Sequence, residues 1–291
     1  MESVLVETDL KTKHLIVGSL ALICVILLCY AEILFKMAQQ WVFDPNYSHG
    51  FLIPILSGYL IWRNKNAFNL SDIRPTPKGL AVLVFGLLLL IIGKAGSEFF
   101  VMRVSFIVVL FGLLLFIVGT EITKKFLFPI GFLIFMIPLP YVFYNDISLP
   151  LKLLTVSFST KFLSLVGIPF AREGNIIHLT QTSLHVIDAC SGLRSIISLL
   201  ALAALFAHLT QNSIWRKPLL TFLAIPIAVI SNFFRITATA VIVNFHGPKL
   251  AEGILHNLSG VISFAVAFIL LIVCSVILKR NAPSRHEKTV F

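Results

Sequence analysis

Residues 103–120 read RVSFIVVLFGLLLFIVGT, a stretch whose only charge is its first residue. A helix of roughly 20 apolar residues crosses a hydrocarbon core about 30 Å thick. Similar stretches recur along the chain, which is 58% hydrophobic over 291 residues and has a mean hydropathy of +0.97. This composition is too apolar for a soluble globular protein. It predicts an all-α polytopic membrane protein.

We expect about eight transmembrane helices. The first is too long for the apolar core of a removable signal peptide. The second is short, and its start is the least defined of the boundaries. These windows make residues 15–278 one membrane domain, with an N-terminus at 1–14 and a tail at 279–291. The predicted spans are 15–36, 48–62, 79–97, 103–120, 126–143, 192–210, 218–244 and 256–278.

The basic residues predict the orientation. Lys and Arg accumulate in the short cytoplasmic loops of membrane proteins. Most of the 23 Lys and Arg fall in cytoplasmic stretches if both termini are cytoplasmic. We therefore read the formal net charge of +10 as contact of the loops with anionic lipid headgroups of the bilayer rather than with nucleic acid.

The stretch outside the membrane runs from about 144 to 190, between the predicted fifth and sixth helices. Its first part, DISLPLKLLTVSFSTKFLSLVG, is apolar with interspersed lysines, which predicts an amphipathic helix along the outer interface. Its second part alternates polar and β-branched residues on either side of REGN and TQTS. This pattern is typical of short strands joined by turns. We expect a small outer-face cap made of an amphipathic helix and a β-hairpin.

Arg235 lies inside the apolar stretch AVISNFFRITATAVIV, residues 228–243. It precedes the end of its predicted helix by nine residues, a depth of about 14 Å at about 1.5 Å per residue. Burying an arginine at a bilayer centre costs roughly 2.5–3.5 kcal/mol on insertion scales, so such a residue is by default functional. Asn232 shares its helical face. A structural salt bridge within the bundle is the alternative.

Cys190 stands at the predicted outer start of the sixth helix. Asp188 or Ser191 can cap that helix, whose N-terminal dipole favours a thiolate over a thiol. Arg194, one turn deeper on the same face, adds positive potential, and Gly192 leaves room for a peptide backbone. The other cysteines, Cys24, Cys29 and Cys274, are expected to be inert small apolar side chains.

His256 is predicted to begin the eighth helix at the same outer face. Ser259 and Gly260 follow it and give a small-residue face that lets another helix approach closely. Three helices thus bring Cys190, Arg235 and His256 to one side of the membrane. A thiolate, an imidazole and a cation support covalent catalysis at a carbonyl group. The scattered histidines and unpaired cysteines predict no metal site, and no cofactor is expected.

Four motifs together resemble the exosortase/archaeosortase family of multi-pass membrane cysteine peptidases. They are SHGFLIP at 48–54, ACSGLRS at 189–195, SNFFRI at 231–236, and the pair of His256 and Gly260. The resemblance implies Cys190 as nucleophile, His256 as general acid and base, and Arg235 as the stabiliser of the oxyanion or thiolate. Around them we expect Arg194, Asn232, His49, Ser191 and Gly192 to bind substrate or support the site.

The resemblance also implies the substrates. They are exported proteins with a C-terminal sorting signal of the PEP-CTERM type: a short motif such as Pro-Glu-Pro, a transmembrane helix and a basic cytoplasmic tail. Cleavage through a thioester, at the periplasmic face of a bacterial inner membrane, would pass the protein to an unknown acceptor. A multi-pass transporter or a lipid-modifying membrane enzyme is the alternative. A transporter predicts inverted repeats, which the sequence lacks.

Overall fold

The structure, a computed structural model, describes residues 2–65, 68, 72–180, 182–186, 192–247 and 254–280. Described side chains begin at Gly18 and omit those of residues 19, 254–257 and 280. By Cα proximity the chain divides into two compact units, 1–140 and 141–291. The predicted membrane domain therefore consists of two units.

The predicted fold class is confirmed: the described chain is mostly helical, with long apolar helices. Six of the described helices are long and apolar enough to cross a membrane, or seven if the interrupted pair Leu127–Met136 and Tyr141–Leu165 is one span. The six candidate spans are Leu20–Phe43, Pro77–Ala95, Phe99–Val118, Leu193–Thr210, Arg216–His246 and Leu258–Lys279. The expected count of about eight is therefore too high by this criterion.

Two predicted spans account for the difference. At 48–62, Pro45 and the Asp44 side chain, which accepts a hydrogen bond from the Asn46 N–H (2.9 Å), start a 3-10 helix instead. The α-helix that follows has only 12 residues, about 18 Å at about 1.5 Å per residue. At 126–143 the helix is broken into short pieces, and prolines at 138 and 140, which lack the N–H that a helix needs, close the segment.

The first unit contains α1 to α6. Tyr30, Met37 and Trp41 of α1 are buried, and the Trp41 indole donates to the Met136 carbonyl (2.9 Å). The elements are α1 Glu2–Phe43, a 3-10 helix Pro45–Phe51, α2 Leu52–Arg63, α3 Pro77–Ala95, α4 Phe99–Val118, α5 Thr120–Lys125, α6 Leu127–Phe132 and a 3-10 helix Leu133–Met136.

Helices α3 and α4 form a hairpin because glycines let their backbones meet. Gly79, Gly86 and Gly93 recur every seven residues on α3, and a Cβ at any of them would lie within 3 Å of an atom of α4. Gly112 of α4 does the same toward Leu83. Close approach through small residues is how helices associate in lipid, where no hydrophobic drive favours packing.

The second unit contains α7, a small sheet and three long helices. They are α7 Tyr141–Leu165, β1 Phe170–Glu173, β2 Ile176–Leu179, β3 Ser183–His185, α8 Leu193–Thr210, α9 Arg216–His246 and α10 Ile254–Arg280. The sheet has the order β1-β2-β3, and both pairings are antiparallel, with Phe170 opposite Leu179 and Ile176 opposite His185. The expected β-hairpin is therefore a three-stranded meander.

Helix α7 corresponds to the predicted amphipathic helix. It buries small polar side chains and exposes large apolar ones. Its buried positions include the small polar residues Ser148, Thr155 and Ser159, whereas Phe143 and Leu165 are exposed. Large apolar side chains on the outside of a helix indicate contact with hydrocarbon or with the membrane interface.

Two apolar clusters hold the second unit together and leave a polar gap between them on α9. One joins α8, α9 and α10 and uses α9 up to Ala228. The other packs the sheet and α7 against α9 from Ile236 onward. The residues between these clusters include Ser231, Asn232 and Arg235. The fold thus concentrates polar side chains in one short part of α9.

Candidate active site

Helix α8 begins at the motif that contains the predicted nucleophile. Gly192 is its N-cap residue, in the left-handed conformation at φ 82°, and its carbonyl accepts from the Ile196 N–H (2.8 Å). Glycine adopts this conformation at no steric cost. Gly192 thus occupies the N-cap position, and the predicted capping residues Asp188 and Ser191 lie outside the described residues.

Gly192 also lies against α9. A Cβ built on it would be 3.0 Å from Nδ2 of Asn232, whose side chain is only 2% exposed. The space beside Gly192 that we expected to be open for a peptide backbone is therefore occupied by Asn232. The missing Cβ serves helix packing at this point.

Replacement of Gly192 by alanine is expected to lower the stability of the protein. A left-handed alanine costs roughly 1–2 kcal/mol, and its Cβ would press on Asn232. Gly167→Ala is the matched control, because Gly167 is also left-handed (φ 76°) with nothing within 4 Å of its Cβ position. Thermal unfolding in detergent should show a larger loss for Gly192→Ala. Equal losses in the two variants would mean that the contact with Asn232 does not contribute to the loss of stability.

Arg235 lies deep within α9. It precedes the helix end at His246 by 11 residues, about 17 Å along the helix at about 1.5 Å per residue. Its guanidinium packs against α10, since Nη1 would be 3.6 Å from a Cβ on Gly260. The small-residue face predicted at Ser259 and Gly260 thus receives the arginine side chain.

Arg194 and Arg235 line the same cavity. It has a volume of about 330 Å³, and Ser195, Ser198 and Gly260 also border it. Both arginines are half-buried. Two guanidinium groups in one partly desolvated cavity create a positive potential that favours an anion, such as a thiolate or an oxyanion. The sequence predicted that each arginine belongs to the site, and the fold brings the two together.

A second, smaller cavity places the sheet beside Arg235. It measures about 60 Å³ and is bordered by Leu184 and His185 of β3, by Val186 directly after that strand, and by Thr239 of α9. The sequence did not predict His185 as a neighbour of the site. Its alternating pattern predicted a strand, but the pattern carries no information on which helix the strand covers.

Ser231 and Ser263 are a further missed feature. The Ser231 hydroxyl donates to the Ser263 carbonyl (2.6 Å), and the Ser263 hydroxyl donates to the Ser231 carbonyl (3.1 Å). These bonds fix α9 to α10 one turn before Arg235. Ser231 lies four residues before Arg235, and Ser263 lies on the neighbouring helix. This pair of serines was the available signal in the sequence.

Two of the three predicted catalytic side chains are not described. Cys190 and Ser191 lie outside the described residues, and His256 belongs to α10 but its side chain lies outside them. Their described neighbours do meet: Gly192, two residues after Cys190, contacts Asn232, and Gly260, one turn after His256, contacts Arg235. The roles of Cys190 and His256 therefore stay predictions, which these contacts favour.

His49 lies in the first unit, in the 3-10 helix Pro45–Phe51. Burial lowers the pKa of its imidazole, and a hydrogen bond with the Phe135 backbone opposes this in part. The predicted role of His49 in substrate binding or site architecture stays a prediction.

His49 is expected to make the protein less stable in acid. Its pKa is lowered in the folded state, so the unfolded chain binds more protons as pH falls through the ordinary histidine value of about 6.5. The stabilisation is present above that value and is lost below it. The unfolding temperature should fall less between pH 7.5 and 5.5 in His49→Gln than in His246→Gln, an exposed control. Equal falls would contradict this.

The fold and the site define a class: a multi-pass membrane protein with a polar, arginine-containing site where three long helices meet. The model of the transmembrane exosortase family (Exosortase_EpsH) matches residues 41–273, which is most of the chain. The chain belongs to this family of transmembrane exosortases. No curated protein and no solved structure matches it significantly.

Proposed function

We propose that this exosortase is a cysteine peptidase or transpeptidase that cleaves C-terminal PEP-CTERM-type sorting signals. In this proposal Cys190 is the nucleophile, His256 the general acid and base, and Arg235 the cation that stabilises developing negative charge. Membership in the exosortase family implies a membrane peptidase or transpeptidase. It favours this function over the transporter and lipid-enzyme alternatives.

One observation carries the assignment of the residues. The start of α8 touches α9 at Asn232, and Arg235, one turn later, reaches α10 at Gly260. Each contact lies within four residues of a predicted catalytic side chain in the sequence. The helix N-terminus after Cys190 also favours a thiolate, as does the positive cavity that Arg194 and Arg235 line.

The first half of the reaction forms a thioester. His256 accepts the thiol proton, and the Cys190 sulfur forms a bond to the carbonyl carbon of the scissile peptide. The carbonyl oxygen becomes an oxyanion, which the Arg235 guanidinium stabilises. The C–N bond then breaks as His256 returns its proton to the leaving amine, and the exported protein remains attached to Cys190.

The second half releases the protein. An acceptor of the amine or water class loses a proton to His256 as it attacks the thioester carbonyl. The C–S bond breaks, and the leaving thiolate takes the proton from His256, which restores the starting thiol and imidazole. An amine acceptor gives transpeptidation, and water gives hydrolysis.

The proposal includes a location and a substrate topology. We place the site at the periplasmic face of a bacterial inner membrane, with both chain termini in the cytoplasm. A substrate that spans the same bilayer, with a basic cytoplasmic tail, would present its short motif on the opposite side from that tail. The motif and the site would then meet without moving a charge across the bilayer.

Capture of the acyl-enzyme tests the proposal. The chain is co-expressed with a signal-bearing substrate, quenched in acid and analysed by mass spectrometry after digestion. We expect a peptide containing Cys190 linked to the new C-terminus of the substrate by a bond that hydroxylamine breaks. Cleavage of the substrate with the adduct on a residue other than Cys190 would overturn the assignment. So would the recovery of a phosphate ester instead of a thioester.

A further inference from the structure

A long groove runs between α9 and α10 in the second unit. Its volume is about 350 Å³, and its lining includes Ile230, Phe234 and Ala238 of α9 and Ile262 and Val266 of α10. Both helices are among the candidate membrane spans. Phe234 is 60% exposed and Ile262 is 54% exposed. The groove therefore opens sideways to hydrocarbon rather than into a water-filled vestibule.

The groove is as long as a membrane helix requires. The bonds between Ser231 and Ser263 set one common level on the two helices. From there the lining extends seven residues along α10 to Leu270 and 11 residues along α9 to Ile242. At about 1.5 Å per residue this is about 27 Å, close to a hydrocarbon core of about 30 Å.

The floor of the groove is narrow and offers few polar groups to an occupant. The Ser231 and Ser263 hydroxyls bond across the two helices, and the Thr239 hydroxyl donates to the Arg235 carbonyl (2.9 Å). Small side chains such as Ala238 and Ser263 allow a helix to approach closely. The occupant that suits this surface is an apolar helix.

The groove is continuous with the proposed active site through one residue. Arg235 lines the groove and also the cavity that contains Arg194. Among the described lining residues of the groove it is the one ionisable group. An apolar helix in the groove would thus meet a single cation, which is complementary to a carbonyl or carboxylate at the end of that helix.

We propose that the α9/α10 groove binds the transmembrane helix of the substrate and so positions the peptide that precedes that helix at Arg235. The inference rests on the proposed function, which supplies a substrate that spans the membrane. Binding occurs within the bilayer, with the substrate helix packed along α9 and α10. The groove is then a docking site that acts before the covalent chemistry.

Filling the groove tests the proposal. Ala238→Trp places an indole in it, whereas Ala265→Trp adds the same group at an exposed position of α10 outside it. We expect Ala238→Trp to slow processing of the membrane-spanning substrate at least tenfold and Ala265→Trp to leave it unchanged. The loss caused by Ala238→Trp should be larger for the membrane-spanning substrate than for a soluble peptide that contains the cleavage motif but no helix. Equal processing of the full substrate by both variants would overturn the docking site.

Cross-linking gives a second readout that does not need turnover. A photoreactive residue at Ile262, in the groove, is compared with one at Val273, which is exposed on α10 outside it. In a Cys190→Ala background we expect the substrate helix to cross-link to position 262 and not to 273. Equal yields, or cross-links to lipid alone at 262, would overturn the proposal. Cross-linking also tests whether the groove binds the substrate helix if Ala238→Trp fails to fold.

Different results would exclude the proposed peptidase function and the proposed docking site. If Cys190→Ala still processes the substrate, the proposed function is wrong whatever the groove binds. The other result is an inactive Cys190→Ala, with Ala238→Trp behaving like Ala265→Trp and position 262 cross-linking no more than position 273. That result would support the peptidase and exclude the docking site.

Discussion

Replacement of Cys190 by alanine is expected to abolish processing of a signal-bearing substrate. Alanine cannot form the thioester, and no other nucleophile is proposed for the site. Removing the nucleophile of a covalent peptidase lowers turnover by about 10⁶-fold in the best-studied case, which would be undetectable here. The measurement is the size of a co-expressed substrate, followed over several cell doublings, with the amount of the variant in the membrane determined in parallel.

Cys274→Ala is the matched control for this experiment. Cys274 is a free cysteine of α10, and it packs at the edge of the apolar cluster of α8, α9 and α10. Its replacement should leave processing intact. Normal processing by Cys190→Ala, or equal loss in both variants, would exclude a specific thiol nucleophile at position 190.

Replacement of Arg235 by alanine is expected to lower turnover about 10²–10³-fold, equivalent to about 2.7–4 kcal/mol of transition-state stabilisation. The guanidinium is half-buried and lies between α9 and α10, so its charge acts through a medium of low dielectric constant. The measurement is a single-turnover rate with the purified protein in detergent or nanodiscs. Because Arg235 would act on the transition state, the rate should fall more than substrate affinity.

Two further substitutions define the role of Arg235. Arg235→Lys keeps the charge but loses the planar fork of donors, so it should restore only part of the rate. Arg216→Ala removes an arginine from the first residue of the same helix and should leave the rate unchanged. Full activity in Arg235→Ala would contradict the proposed role, as would a loss that unfolding of the variant explains.

Local patterns predicted the long helices well because apolar composition acts over one helix at a time. The windows at 79–97 and 103–120 correspond to α3 and α4, and those at 192–210 and 218–244 to α8 and α9. The window at 48–62 failed because a capping aspartate and Pro45 begin a 3-10 helix there. Mean hydropathy does not register such start signals.

The sequence nominated candidate site residues but could not predict their contacts. An arginine inside an apolar span is costly wherever it occurs, so Arg235 stood out without a structure. Nothing in the sequence indicated that its guanidinium lies at Gly260 or shares a cavity with Arg194. The space that the sequence predicted beside Gly192 for a peptide backbone is filled by Asn232.

The sequence by itself determined that the protein spans a membrane, and it singled out Arg235 as a candidate site residue, because hydropathy and the cost of a buried charge are properties of single segments. Only the tertiary structure decided that α8, α9 and α10 pack with their polar residues at one level. It also decided that the Ser231 and Ser263 bonds join two helices that border a groove of about 350 Å³. Those features depend on the register between helices, which is set by glycines and serines that meet across an interface.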